Sequence, residues 1–162
     1  SARFDGSEMT HCAPSLGFIL GDEGSGVKIG LSLLRAYYYR DMPELLRMDF
    51  ARQYDLNLEK QLDKIYRAPK PAAHLAGYAP FASSYKEDPF IQELVGETMN
   101  EYIQHFICGF ADFRDLKVGI VGSVAYHFAD ILKKQAEICG VQHIDIAQRP
   151  IDQLAQFHQD QR

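Results

Sequence analysis

Between Asp88 and Pro150 the apolar residues change period three times, and those changes constrain the fold more than any other feature of the chain. Asp88-Pro89 opens a helix whose stripe is Ile91, Leu94, Val95, Thr98, Met99, Tyr102, Ile103, Phe106 and Phe110, an i, i+3, i+4 pattern. Leu116–Val121 then reads as a short β-rich run ending in Gly122-Ser123. Val124, Phe128, Ile131, Leu132 and Ala136 mark a second helix, closed by Gly140, and Val141–Ala147 reads as another strand. A strand–helix–strand unit of this kind predicts two parallel strands joined by a right-handed crossover. Ligands collect beyond the C-terminal ends of such strands, which here is Gly122-Ser123. Pro150 suits the start of a last short helix over Ile151–His158.

The second punctuated stretch lies near the N-terminus. Gly17–Gly30 places five glycines in fourteen residues, with Asp22-Glu23 at the centre and an apolar segment behind. Asp22 and Ser25 can each cap a helix, and Glu23 suits a helix N-terminus. The pattern predicts a tight turn feeding a largely buried helix from about Glu23 to Tyr39. Exposed amides at such a start can bind an anion or a hydroxyl-rich ligand; a capped loop-to-helix junction with no ligand would look the same. Upstream, Asp5-Gly6 between Ala2–Phe4 and Glu8–Cys12 is a two-residue hairpin signal. Between the two punctuated stretches the chain reads as helical: Pro43 in a first turn followed by Leu45, Leu46, Phe50 and Tyr54, an Asn57-capped helix through Tyr66, and a weaker helix over His74–Tyr85 broken by Gly77 and Pro80.

Charge and cysteine usage narrow the function class. The 162 residues carry a net charge of −5 and are 46% hydrophobic, which suits one globular domain with a core and argues against a general nucleic-acid or anionic-membrane binder. No apolar run is long enough for a transmembrane helix, and no signal-peptide pattern opens the chain. Cys12, Cys108 and Cys139 lack C-x-x-C spacing and sit among apolar residues, so they read as reduced core thiols of an intracellular, cytoplasmic protein. His105 and Cys108 are too few for a metal site, and no H-E-x-x-H, G-x-S-x-G or Walker lysine motif occurs.

Three segments carry a resemblance in the right order. Pro14–Gly26 with its Gly21-Asp22-Glu23-Gly24-Ser25-Gly26 core, then Val121-Gly122-Ser123-Val124-Ala125-Tyr126, and the ending Gln148-Arg149-Pro150-Ile151-Asp152 through Phe157-His158, resemble the BadF/BadG/BcrA/BcrD ATPase family in its N-acetylglucosamine-kinase-like branch. The resemblance implies an α/β fold, the C-terminal lobe of an actin-like (ribonuclease H-like) ATPase: a small mixed sheet packed with several helices, with a helical insertion at about 41–87. It also implies that the chain is the second half of a two-lobe protein whose catalytic acid and phosphate loops belong to a first lobe. The partner would be that lobe or a second copy.

The same resemblance suggests residue roles. Asp22 would contact sugar hydroxyls, with Glu23 and the amides of Gly24 and Ser25 shaping that side of the cleft. Gly122 and Ser123 would approach the adenosine of ATP, and Mg would be held mostly by the other lobe. No catalytic residue and no metal ligand is expected in this chain. Leu16-Gly17 stands where animal sugar kinases of the family have Trp-Gly, so the sugar is left open. Three readings follow: one lobe of an ATP-dependent amino-sugar kinase; an incomplete ligand-binding module needing a separate N-terminal lobe; and an ATPase activator of a radical dehydratase, ranked last because the three cysteines lie outside cluster-binding motifs.

Overall fold

The computed structural model describes residues 1–151; the ending expected to form a helix through His158, with its family-like residues 152–158, lies outside them. Strand β1 (Ala2–Phe4) pairs antiparallel with β2 (Met9–Cys12), Ala2 opposite Cys12 and Arg3 opposite His11. The turn spans 5–8 instead of two residues, because the Asp5 carboxylate accepts from the amides of Ser7 (2.9 Å) and Glu8 (3.0 Å). Those same hydrogen bonds hold the Asp5 carboxyl below its ordinary range. Arg3 docks the hairpin with a two-pronged bond to Asp112, at 2.8 and 2.5 Å. His11 meets the edge of Phe110, ring centroids 5.4 Å apart.

A one-turn helix, α1 (Gly17–Leu20), leads through the glycine-rich turn to α2 (Gly26–Tyr39). Helix α2 starts later than the charge pattern predicts: Ser25 provides the cap, its Oγ accepting from the Lys28 amide at 3.3 Å, and residues 22–24 stay in the turn. The helix buries Ile29, Leu33, Leu34 and Ala36 and ends on Arg40 in the left-handed region. Helices α3 (Glu44–Gln53), α4 (Leu58–Tyr66), α5 (Pro71–Ala76) and α6 (Ala79–Ser84) follow. The helix expected over 74–85 is thus two, since the chain turns at Gly77-Tyr78 before Pro80 enters a new first turn. Phe50, Tyr54, Tyr78 and Phe81 stack tilted or edge-on beneath them, Phe50 and Phe81 at 4.8 Å. Buried Gln61 ties α4 to α5: its Oε1 accepts from the Tyr78 hydroxyl and contacts His74 Nε2, both at 2.7 Å. Burial, with the Lys64 charge second, pushes the His74 imidazole below its usual value.

Helix α7 (Pro89–Phe106) begins where expected, with Asp88 accepting from the Phe90 amide at 2.9 Å and Pro89 in the first turn. It stops a turn before the end of the stripe, where the amides of Ile107 and Cys108 both fold back on the Ile103 carbonyl. Phe110 serves the hairpin instead. Strand β3 (Lys117–Val121) lies parallel to β4 (His143–Ala147), in register from Lys117–His143 to Val121–Ala147. The helix expected between them is broken at buried Phe128 into α8 (Ser123–His127) and α9 (Ala129–Cys139), and Gly140 closes α9 at φ 84°. Instead of one small mixed sheet there are two separate two-stranded sheets among the described residues, one antiparallel and one parallel.

Ile29, Leu33, Phe50, Phe81, Ile91, Val95, Ile103 and Leu132 belong to one buried cluster centred on α2 and α7. Two glycines set how closely helices approach within it. A Cβ on Gly30 would lie 1.9 Å from the Leu75 carbonyl oxygen, so α2 and α5 touch backbone to backbone. A Cβ on Gly96 would meet only the Gln135 side-chain amide, at 2.9 Å, between α7 and α9. Of the cysteines expected in the core, Cys12 is exposed, because its strand lies outside the cluster, and Cys108 and Cys139 are half-buried.

The two glycines should therefore respond differently to one methyl group. Gly30→Ala should cost roughly 2–3 kcal/mol or more, as a carbonyl cannot move aside. Gly96→Ala should stay within about 1 kcal/mol, because the Gln135 amide can swing away. Urea unfolding of the two variants beside the parent checks this; equal losses would contradict the packing.

Candidate functional site

The glycine-rich turn is built from backbone shapes that few residues adopt. Gly24 has φ 70°, and Asp22, a residue with a Cβ, has φ 63°, in the left-handed region that Asp and Asn enter more readily than other side chains. The Ser25 amide donates to the Asp22 carbonyl at 3.1 Å, closing the turn, and the Ser25 side chain then caps α2. Gly24 is also required by packing: a Cβ there would lie 2.9 Å from the Cβ of Tyr102 on α7. Tyr102 is the floor on which the turn rests, and burial pushes its phenol above the ordinary range.

The second element starts where β3 ends. The Gly122 amide donates to the Ala147 carbonyl at 3.0 Å, and its carbonyl receives the Tyr126 amide at 3.1 Å to begin α8. Gly122 has φ 146°, a conformation that a side chain strains, while the space beside it is open, with no protein atom within 4 Å of a would-be Cβ. A valine at this position would thus disturb the β3–α8 turn itself.

Almost a hundred residues apart in sequence, these two elements line one cavity of about 310 Å³: Glu23, Gly24 and Ser25 on one side, Val121, Gly122 and Ser123 on the other, over Tyr102. Asp22 does not line it; the residue is half-buried in the turn next to it. Ser123 and Val124 form a partition, because they also line a second cavity of about 540 Å³. That one is mostly apolar and lies between the start of α2 (Gly26, Val27), α6 (Ala79, Pro80) and α8 (His127). Sequence reading missed Tyr102 and the α6 wall. The only sign of the latter was Pro80, which enters the first turn of α6, with the small residues Gly26, Ala76 and Ala79; a Cβ on Gly26 would lie 3.5 Å from the Cβ of each alanine.

Among the described residues no lysine or arginine lines either cavity; Lys28, a turn into α2, is drawn to Glu101 on α7 at 3.3 Å. The walls offer one carboxylate, serine hydroxyls, backbone amides and an apolar recess. Such a set can orient hydroxyl groups and hold a flat apolar ring, but it has no fixed cation to neutralise a polyphosphate. Among the described residues no group of three His, Cys, Asp or Glu stands close enough to hold a metal ion.

Ser25 does structural work whatever the ligand. Ser25→Ala should cost about 1 kcal/mol by removing the cap, with thermal unfolding as the measure, while Ser25→Asp should restore most of it. A Ser25→Ala protein as stable as the parent would show that the cap contributes nothing.

No protein-family model matches the chain, and no curated protein matches it in sequence. A solved structure does: a protein from Porphyromonas gingivalis described as a candidate N-acetylglucosamine kinase superposes with a TM-score of 0.90 at 30% sequence identity. The match takes in 98% of this chain and 56% of that protein, so the chain spans little more than half its relative's length and shares with that stretch a mixed α/β, kinase-like fold.

Proposed function

We propose that this chain is the C-terminal lobe of an actin-like, ATP-dependent sugar kinase of the N-acetylglucosamine-kinase type, within the BadF/BadG/BcrA/BcrD family. The observation that carries this reading is the convergence of two distant glycine turns on one cavity, in a fold shared with a candidate N-acetylglucosamine kinase. In this reading Glu23, which lines the cavity, and Asp22, in the turn next to it, contact sugar hydroxyls, with the amides of Gly24 and Ser25 beside them. Gly122 leaves room for the ribose, and the apolar recess behind Ser123 takes the adenine ring. Cytoplasmic ATP and an amino sugar are the substrates. The γ-phosphoryl would pass to a sugar hydroxyl.

The chemistry of the walls defines what the lobe contributes. Its residues bind and orient, while the general base and the phosphate clamp would come from a complementary lobe. ATP supplies the phosphoryl group, and its polyphosphate charge and magnesium are left to groups from a complementary lobe, or from a second copy, in the proposed whole enzyme. The lobe alone would then be a ligand-binding module, which joins the first two sequence-based readings into one. Nothing in the placement of the cysteines favours the activator reading.

Two measurements test the two halves of this assignment. The 162-residue chain should bind ADP in calorimetry without sugar-dependent ATP turnover. Ser84→Trp, on the exposed rim of the apolar recess, should weaken that binding several-fold with an unchanged circular dichroism spectrum; unaltered affinity would remove adenine from the recess. In the assembled kinase, Asp22→Asn should lower kcat/KM for the sugar by roughly 10- to 100-fold, the worth of hydrogen bonds to a charged group, with little change in the KM for ATP. Sugar kinetics identical to the parent's would refute the role of Asp22.

A further inference from the structure

Away from both cavities, two thiols that the proposed function does not use come together. Helices α7 and α9 run side by side in the same direction: Gly96 faces Gln135, and one and two turns on, Asn100 and Gln104 both reach Cys139. Gln104 Nε2 donates to the Cys139 sulfur at 3.2 Å, and the Cys139 thiol is placed to donate to Asn100 Oδ1 at 3.4 Å. Cys108 stands two residues past the end of α7, where its amide folds back on the Ile103 carbonyl, and its thiol neighbours that of Cys139. Its thiol is pushed up by burial and then by the neighbouring Cys139 thiol, with Arg114 acting in the opposite sense. Arg114 also packs on Gly140, its Nε 3.2 Å from where a Cβ would be, which brings the ends of α7 and α9 to one guanidinium. Both cysteines are half-buried and free, within reach of a small oxidant.

We propose that Cys108 and Cys139 are a reversible redox pair, a disulfide site that locks the C-terminal ends of α7 and α9 together. The co-reactant is a low-molecular-weight disulfide such as glutathione disulfide. Cys139 reacts first, because burial disfavours the competing Cys108 thiolate. The thiolate attacks one glutathione sulfur and expels the other glutathione as a thiolate, giving a mixed disulfide on Cys139. Cys108 then loses its proton and attacks the Cys139 sulfur, forming the protein disulfide and releasing the second glutathione. Two protein S–H bonds and one S–S bond are exchanged for one protein S–S bond and two glutathione thiols, so the protein is oxidised by two electrons. The bridge would hold together the helices that carry Tyr102 and Leu132, both of which line the cavity beneath Glu23–Ser25. The proposal does not depend on the kinase reading, and its test needs no activity.

The purified chain, equilibrated with glutathione disulfide and alkylated, is read by intact mass and peptide mapping. The expected result is the loss of two hydrogens and of two alkylatable thiols, a Cys108–Cys139 linked peptide, and full reversal by dithiothreitol. The same bridge should form in Cys12→Ser. Cys108→Ser should instead trap the glutathione adduct on Cys139, and Cys139→Ser should leave Cys108 several-fold slower to modify. Persistent glutathione adducts on both cysteines of the parent without a bridge, or a bridge that uses Cys12, would overturn the proposal. So would two thiols that stay fully alkylatable throughout.

Discussion

Helix α2 is held by a contact with no side chain between its partners. Gly30 rests on the Leu75 carbonyl, and at that separation α2 can neither rotate nor slide without breaking the seam with α5. The seam fixes the height of the helix over α7, and with it the position of the Ser25 cap and the turn that Tyr102 supports from below. The first cavity exists because α2 is stopped there: its Glu23–Ser25 wall is the end of a helix that cannot retreat, and its Gly122-Ser123 wall is the end of a strand held in a parallel ladder. Interiors packed this tightly transmit position over long distances because they have few alternative arrangements.

Features that depend on local chemistry were legible in the residues. Asp88-Pro89, Asn57 and Gly140 begin or end helices where their side chains and backbone preferences dictate, and the period-two runs at Lys117–Val121 and His143–Ala147 pair as a strand–helix–strand unit should. Features that depend on distant partners were not. Phe128 breaks a continuous helical pattern because it is itself part of the core, and Phe110 leaves its stripe for His11, a residue about a hundred positions away. The Asp5 side chain lengthened a turn that its dipeptide alone would have made tight. At the candidate site, the glycines and Asp22 marked themselves by type and spacing. That Glu23–Ser25 and Gly122-Ser123 share a cavity, and that α6 walls a second, are facts of tertiary packing that no local pattern encodes.

The electrostatic character of the two cavities separates what this chain can hold from what it cannot. One carboxylate, hydroxyls and amides suit neutral polar groups, and the recess beside α6 suits a flat ring. Lys28, one turn into α2, is already engaged by Glu101. A ligand with several negative charges would gain little from these walls and would be repelled by Asp22 and Glu23 where its charges came near them. Ligand affinity here should therefore be less sensitive to salt than is usual for phosphate sites.

Asp22 shows where folding and function pull apart. Its φ of 63° is a shape that glycine takes without strain and that a residue with a Cβ holds at a cost of about 1 kcal/mol. Glycines stand on both sides of it at positions 21 and 24, so a glycine at 22 would suit a turn of this kind. On folding grounds alone the carboxylate is the less favourable occupant. Strain retained at one residue of an otherwise relaxed loop points outward, to whatever that carboxylate meets in solution.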